Sequence, residues 1–177
     1  CLSGWHGFSN PEECKSYLYK LKNDGMENNE KTAEILNDLI EINHDRVNGY
    51  TKAAKETAAE DADLRSLFME MADDSRLYAV ELKKFVQRTG EAPAEGTTVR
   101  GKIYRVWMDI KAAVSGQSRK AILASCEFGE DAAQKAYNAA LEEEELSPRI
   151  REVITDQQSE LKRAHDRIKR MRDIQSA

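Results

Sequence analysis

Apolar residues recur at intervals of three and four positions along four long stretches of the chain, which is the spacing of one face of an α-helix. The first two stretches are residues 32–59 and 61–90, and they are separated by a very short connection. The third begins after Ser118, whose hydroxyl can cap a helix, and the fourth opens with Ser147 followed by Pro148. The pattern therefore predicts four long amphipathic helices.

The connection between the second and third stretches is much longer than the other two. It begins at Gly90, a candidate for a left-handed helix cap, continues through a loop rich in glycine and proline, and contains a shorter amphipathic segment at residues 99–114. Two pairs of long helices joined by one long crossover are typical of ferritin-like bundles. We therefore expect an all-α, antiparallel, ferritin-like four-helix bundle with a short extra helix in this crossover.

The first 28 residues differ from the rest of the chain. They contain a local concentration of aromatic residues, glycine and proline, and Met26 is followed by a polar run that is typical of the lead-in to a helix. We expect residues 1–28 to be an appendage, in which residues 11–22 can form a short helix, and residues 29–177 to be the bundle. Met26 is the expected natural start.

Composition and charge narrow the class of protein. Of the 177 residues 33% are charged and 7% are aromatic, a balance that suits long exposed helices and disfavours a β-rich fold. The formal net charge of -5 provides no broad basic surface, so no nucleic-acid partner is expected. No run approaches the roughly 20 apolar residues of a membrane span.

The cysteines give no disulfide framework, because they form an odd set of three: Cys1, Cys14 and Cys126. Cys126 lies in a strongly helical stretch and is expected to be a small buried residue. We expect a cytoplasmic protein, with a lipid anchor through Cys1 as the alternative.

Four segments carry a resemblance to a known family. They are Asn-Asp-Leu-Ile-Glu-Ile-Asn at 37–43, Trp-Met-Asp-Ile-Lys-Ala-Ala at 107–113, Cys-Glu-Phe-Gly-Glu-Asp-Ala-Ala at 126–133 and Ala-His-Asp-Arg-Ile at 164–168. In these segments the chain resembles an uncharacterised bacterial ferritin-like family, a four-helix-bundle domain of unknown function. The resemblance covers residues 32–173 and implies a fold but little chemistry.

The chain departs from the metal-binding pattern of the wider ferritin-like group. Such bundles hold two metals with carboxylates from two helices and a Glu-x-x-His motif from each of the other two. Here Asn43 stands where the first helix often has glutamate, and an amide is a poor metal ligand. The second helix has Asp74 followed by Leu77 in place of histidine, and the fourth has Gln158 followed by Leu161. Both Glu-x-x-His motifs are therefore missing.

Some potential ligands remain. The third helix keeps Glu130, seven residues before Tyr137, with Glu127 one turn earlier, and Asp74 and His165 lie on or beside inward stripes. One interpretation is an oxygen-rich site for iron or another divalent metal, formed by Asp74, Glu127, Glu130 and His165. The alternative is structural: Glu127 and Glu130 pair with arginine or lysine on a neighbouring helix, and Asp74 forms a salt bridge on its helix face. His165 then pairs with Glu127, Glu130 or a backbone carbonyl.

The remaining inward polar residues predict a hydrogen-bonded layer in the bundle core formed by Asn43, Tyr137 and Gln158, close to Glu130. We therefore expect a non-catalytic bacterial bundle protein with a stress-related or interaction role, a degenerate metal centre and no cofactor. The alternative is a carboxylate-rich metal-binding protein or a weak metal-dependent oxidase of the ferritin-like type.

Self-association is expected from the crossover. Ile103, Trp107 and Ile110 form an apolar face that must cover either the bundle or a second copy of the chain. The sequence therefore predicts a homo-oligomer, with a dimer as the simplest form.

Overall fold

The computed structural model describes residues 11–57, 59–96 and 118–174; in the stretch 11–27, the side chains described are those of Lys15 and Met26. It contains four α-helices: α1 (Pro11–Glu56), α2 (Ala62–Thr89), α3 (Arg119–Glu142) and α4 (Pro148–Ile174). These described ranges include no β-strand. The prediction of an all-α fold is confirmed.

The helices form an antiparallel bundle. α1 packs against α2 and α3, and α4 packs against the same two helices, so α1 and α4 lie at opposite corners. Asn43 of α1 contacts Tyr137 of α3, and Tyr50, about two turns later in α1, contacts Glu130, about two turns earlier in α3, so α1 and α3 run in opposite directions. The four-helix bundle that the sequence predicts is confirmed.

The connection from α2 to α3 begins and ends at opposite ends of the bundle. After α2, the backbone at Ala92 and Ala94 is held by hydrogen bonds of 3.1 and 2.7 Å to the side chain of Asn37. At the other end, Arg119 at the start of α3 donates to Asp61, just before α2, at 2.6 Å. α2 and α3 are therefore parallel and need a crossover. The expected extra helix at 99–114 lies outside the described residues.

Local signals set several helix ends as predicted. Gly90 ends α2 with a φ of 90°, a left-handed conformation that a residue without Cβ adopts at little cost. The Ser118 hydroxyl accepts a hydrogen bond of 3.3 Å from the Ala121 amide at the start of α3. α4 begins at Pro148, with Ser147 as its cap.

The start of α1 differs from the expectation. The helix begins at Pro11 and runs without interruption to Glu56, where the sequence predicts a start near residue 32. Proline suits the first helical turn, and the lysine, glutamate and leucine residues that follow are good helix formers, so the single Gly25 costs only about 1 kcal/mol relative to alanine. The expected short helix at 11–22 is therefore part of α1. The domain division after residue 28 stays a prediction.

Two apolar clusters fill the core, one on each side of a polar level at the centre. The first is formed mainly by Leu36, Leu39, Ile40, Leu82, Val86, Ile154 and Leu161. The second is formed mainly by Tyr50, Leu64, Leu67, Phe68, Leu123, Cys126 and Ile168. In the part of the chain that the structure describes, no helix is both long enough and apolar enough to span a membrane.

Candidate functional site at the bundle centre

A buried arginine and a buried glutamate face each other at the centre of the bundle. Arg46 of α1 is 1% exposed, Glu130 of α3 is fully buried, and the guanidinium Nη1 forms an ion pair with Glu130 Oε2. The hydroxyl of Tyr50 donates to the other carboxylate oxygen, Oε1. Arg46 Nε donates to Ser75 Oγ of α2 at 3.1 Å. Side chains from three helices thus enclose one charge pair, which we call the Arg46 centre.

The surroundings keep Arg46 charged and Tyr50 neutral. Burial lowers the pKa of Arg46, but the adjacent Glu130 carboxylate opposes this effect, and the net shift of the pKa is upward. Burial raises the pKa of the Tyr50 phenol, and the charge of Glu130 raises it again. The phenol is therefore a hydrogen-bond donor at neutral pH, and the guanidinium carries the positive charge that balances Glu130.

A second network of hydrogen bonds crosses the bundle next to the Arg46 centre. Asn43 Nδ2 donates to Leu39 O at 2.8 Å and to the Tyr137 hydroxyl at 2.7 Å. Tyr137 in turn donates to Gln157 Oε1 at 2.8 Å, and Gln157 Nε2 donates to Glu81 Oε2 at 2.9 Å. Burial raises the pKa of the Tyr137 phenol, so its hydroxyl stays protonated. The hydroxyl can therefore accept from Asn43 and donate to Gln157 at the same time. The network therefore links α1, α3, α4 and α2.

The glutamine of this layer is Gln157, and the prediction of Gln158 was wrong by one residue. Gln158 is half-buried beside the core, where its amide donates to Asn138 Oδ1. Gln157 lies four residues after Val153 and four before Leu161, both buried. Gln158 lies five residues after Val153, and because each residue turns a helix by about 100°, it lies to the side of the buried face that Gln157 shares.

The four expected metal ligands do not come together. Glu127 pairs with Arg172 of α4 near the surface, and the His165 ring lies 3.1 Å from Asp131 and 3.0 Å from Asp166. His165 contacts neither Glu127 nor Glu130 by hydrogen bond or ion pair, so the predicted pairing with one of these two glutamates was wrong. Its acidic partners are Asp131 of α3 and Asp166 of α4. Only Glu130 of the four lies in the centre.

Asp74 is on the outer part of α2 and not in the core. It lines a cleft of about 250 Å³ between α2 and α4, with Tyr78 on the same wall and Arg46 among its lining residues. Burial raises the pKa of Asp74, and the neighbouring Glu70 carboxylate raises it further. Leu77, expected at a histidine position facing inward, is 66% exposed. The inward residue of this turn is Ser75.

Comparison with protein-family models assigns the chain to a family. Residues 31–143, which include α1 from its central part onwards, α2 and α3, match the model of a family described as Domain of unknown function (DUF2383). The chain belongs to this family. The predicted membership of an uncharacterised domain family is thereby confirmed. The bacterial origin stays a prediction.

Comparison with solved structures supports the same fold. A Dps1 mutant from Mycobacterium smegmatis superposes with a TM-score of 0.72, covering 82% of this chain and 97% of that one, at 16% sequence identity. At that identity the likeness concerns the fold alone, which is that of a ferritin-like bundle. A comparison with proteins of curated function found no match.

The residues of the DUF2383 bundle centre do not fit a metal ion. Both oxygens of Glu130 already have partners, the Tyr50 hydroxyl and the Arg46 guanidinium, and the guanidinium occupies the place of a cation beside the carboxylate. The nearby Asn43 and Ser75 side chains are uncharged and already hydrogen-bonded: the Asn43 amide donates to Tyr137, and the Ser75 hydroxyl accepts from Arg46 Nε. Across residues 11–57, 59–96 and 118–174, no group of three or more histidine, cysteine, aspartate or glutamate side chains is arranged to hold a metal.

Arg46 is the central residue that sequence reasoning missed. It lies three residues after Asn43 and four before Tyr50, which places it on the inward stripe of α1. Arginine is almost never fully buried unless it is paired, and its partner Glu130 is 84 residues away in the sequence. The sequence does contain a signal for this pair: Arg46 lies on the apolar stripe of α1, and Glu130 lies on that of α3. A basic and an acidic residue on two inward stripes indicate a buried ion pair.

Proposed function

We propose that this protein is a non-catalytic helical-bundle protein with an interaction or stress-related role. Its centre keeps one acid of a ferritin-like metal site and balances that acid with a guanidinium. The observation that carries the proposal is the buried ion pair between Arg46 and Glu130. Arginine is charged at every physiological pH, so Glu130 is neutralised without a metal ion.

The same pair disfavours the alternative, a metal-dependent oxidase. A divalent cation at Glu130 would lie beside the fixed positive charge of Arg46, and it would compete with the guanidinium and with the phenol of Tyr50 for the same two oxygens. Moving the guanidinium away would also remove its hydrogen bond to Ser75. The centre therefore has the chemistry of a structural ion pair.

Metal analysis of the full chain tests this proposal. Protein purified without chelator should contain far less than one metal ion per chain. Anaerobic titration with ferrous iron should show no stoichiometric binding, and chelator should leave the melting temperature unchanged. A stoichiometric metal ion that is lost in Glu130→Gln, together with a lower melting temperature in chelator, would overturn the proposal.

A variant without the guanidinium sharpens the test. Arg46→Ser leaves Glu130 without its internal cation, so Mn²⁺ should raise the melting temperature of this variant and leave that of the wild type unchanged. Arg46→Lys keeps the positive charge and should behave as the wild type does. Arg149→Ser removes an arginine that is 68% exposed and serves as the matched control. If Mn²⁺ changes the melting temperature of all four proteins equally, Arg46 is not the group that keeps a cation away from Glu130.

A further inference from the structure

The outer face of α2 carries an ordered stripe of exposed side chains. Leu77 and Val80 at its middle are 66% and 51% exposed, so two large apolar side chains lie next to each other on the solvent face of one helix. Acids precede them and bases follow them at intervals of three and four residues: Glu70, Asp73, Leu77, Val80, Lys84 and Arg88. We call this the α2 stripe, and it points directly away from the core.

The order of charges along the α2 stripe is self-complementary. If a second α2 lies antiparallel across the first, with the twofold axis between positions 77 and 80, Leu77 meets the partner's Val80. Asp73 then meets the partner's Lys84, and Glu70 comes close to the partner's Arg88. A parallel arrangement would bring like charges together. We propose that the α2 stripe is a twofold-symmetric dimerisation surface whose occupant is a second copy of this chain.

The existing partners of the two acids do not oppose such a dimer. Asp73 pairs with Arg76 on its own helix, where the two side chains are 67% and 45% exposed, and Glu70 lies 3.5 Å from Arg167 in another exposed pair. Exposed pairs of this kind contribute little stability, so they can be exchanged for contacts across an interface.

The two parts of the stripe have different roles. Burial of Leu77 and Val80 supplies affinity, while the flanking charges fix the antiparallel orientation and exclude other partners. A single helix pair makes a small interface, so the dimer should be weak, with a dissociation constant on the order of micromolar. The inference deepens the proposed interaction role by naming a partner, and it rests on that role.

Charge exchange between two variants tests the proposed geometry. Asp73→Lys and Lys84→Asp each place like charges opposite one another in both halves of a homodimer. Each variant alone should therefore dimerise at least about tenfold more weakly than the wild type, in sedimentation velocity on the full chain. An equimolar mixture should dimerise again, because a heterodimer restores an opposite-charge pair at both positions.

Two further variants control the experiment. Glu152→Lys reverses a charge in the exposed pair with Arg149 on α4, which has the same spacing as Asp73 and Arg76, and it should leave dimerisation unchanged. Leu77→Ser should weaken dimerisation without loss of helical circular dichroism. If it instead lowers the melting temperature of a chain that stays monomeric, the stripe is covered by another part of the same chain and the inference is overturned.

Two further outcomes of the sedimentation experiment would overturn the inference. A wild type that is monomeric at high micromolar concentration, or a mixture no more dimeric than its components, overturns the inference. Metal content measured on the same preparations separates the two proposals. A metal-free monomer removes only the α2 stripe as a dimer surface, whereas a metal-loaded dimer removes only the proposed non-catalytic centre.

Discussion

The charges of Arg46 and Glu130 should be strongly coupled in a double-mutant cycle. Arg46→Met leaves the buried Glu130 carboxylate without a counterion, and Glu130→Leu leaves the buried Arg46 guanidinium without one. Removing one partner of a buried pair costs about 3–5 kcal/mol. Glu130→Leu also strands the Tyr50 hydroxyl, which adds about 1–3 kcal/mol. Glu130→Gln should be similarly costly, because an amide can accept hydrogen bonds but cannot balance a guanidinium.

The double variant Arg46→Met/Glu130→Leu removes both charges together. Replacement of a buried ion pair by apolar side chains of similar volume is often neutral or stabilising, so the main expected cost is the stranded Tyr50 hydroxyl, about 1–3 kcal/mol. If the two single effects were independent, their sum would be roughly 7–13 kcal/mol, because the effect of Glu130→Leu includes the stranded Tyr50 hydroxyl. The expected coupling between the two positions is therefore at least about 4 kcal/mol.

Urea denaturation of the four proteins, followed by circular dichroism at one fixed protein concentration, measures this coupling. Arg149→Met and Glu152→Leu form the matched cycle, because their ion pair has side chains that are 68% and 60% exposed. That surface cycle should give about 1 kcal/mol or less. Additive effects at Arg46 and Glu130 within about 0.5 kcal/mol would refute the idea that each charge is buried only because of the other.

Three further predictions concern the rest of the bundle. Tyr137→Phe removes the bonds to Asn43 and Gln157 and should lower the free energy of unfolding in urea by about 1–3 kcal/mol; no change would show that the network is not needed. The pKa of Asp74 is raised in the fold, chiefly by burial, so the native state holds this proton more tightly than the unfolded chain and stability falls as pH rises through the raised pKa. Asp74→Asn should therefore raise the melting temperature at pH 7 and lose that advantage toward pH 3.5, and a melting temperature equal to that of the wild type at both pH values would contradict this. Deletion of residues 1–25 should leave the melting temperature nearly unchanged, and a fall of more than about 10 °C would show that this segment is integral.

The fold could be predicted because its signals are local. The apolar spacing of three and four residues identifies α2, α3 and α4, and the caps at Gly90, Ser118 and Ser147 lie where the sequence places them. The lengths of the connections then leave few arrangements of the helices. The start of α1 was missed because a polar segment with one glycine resembles a helix lead-in, although its residues favour the helix strongly enough to continue it.

The centre could be predicted only in part, because its partners come from different helices. The inward positions of Asn43, Glu130 and Tyr137 follow from periodicity, and all three are fully buried. The partner of Glu130 does not follow, since α1 and α2 each offer several basic residues and only the packing shows which one turns inward. The choice between Gln157 and Gln158 depends on a rotation of about 100°, and both positions lie three or four residues from the buried Ile154 and Leu161, so the spacing to these two residues permits either.

The two polar networks also explain how this bundle can fix the register of its helices without a metal. The Arg46 centre joins α1, α2 and α3, and the bonds from Asn43 through Tyr137 to Gln157 and Glu81 add α4. A shift of α4 by one residue would turn Gln157 away from Tyr137 and leave a buried phenol without its acceptor, at a cost of about 1–3 kcal/mol. A shift of α3 would separate Glu130 from Arg46 and bury two unbalanced charges, which costs more. An apolar centre would penalise such shifts far less, because one methyl group can replace another. The internal guanidinium therefore does what a bound cation does in joining helices, but it is supplied by α1 itself and is present as soon as the chain folds.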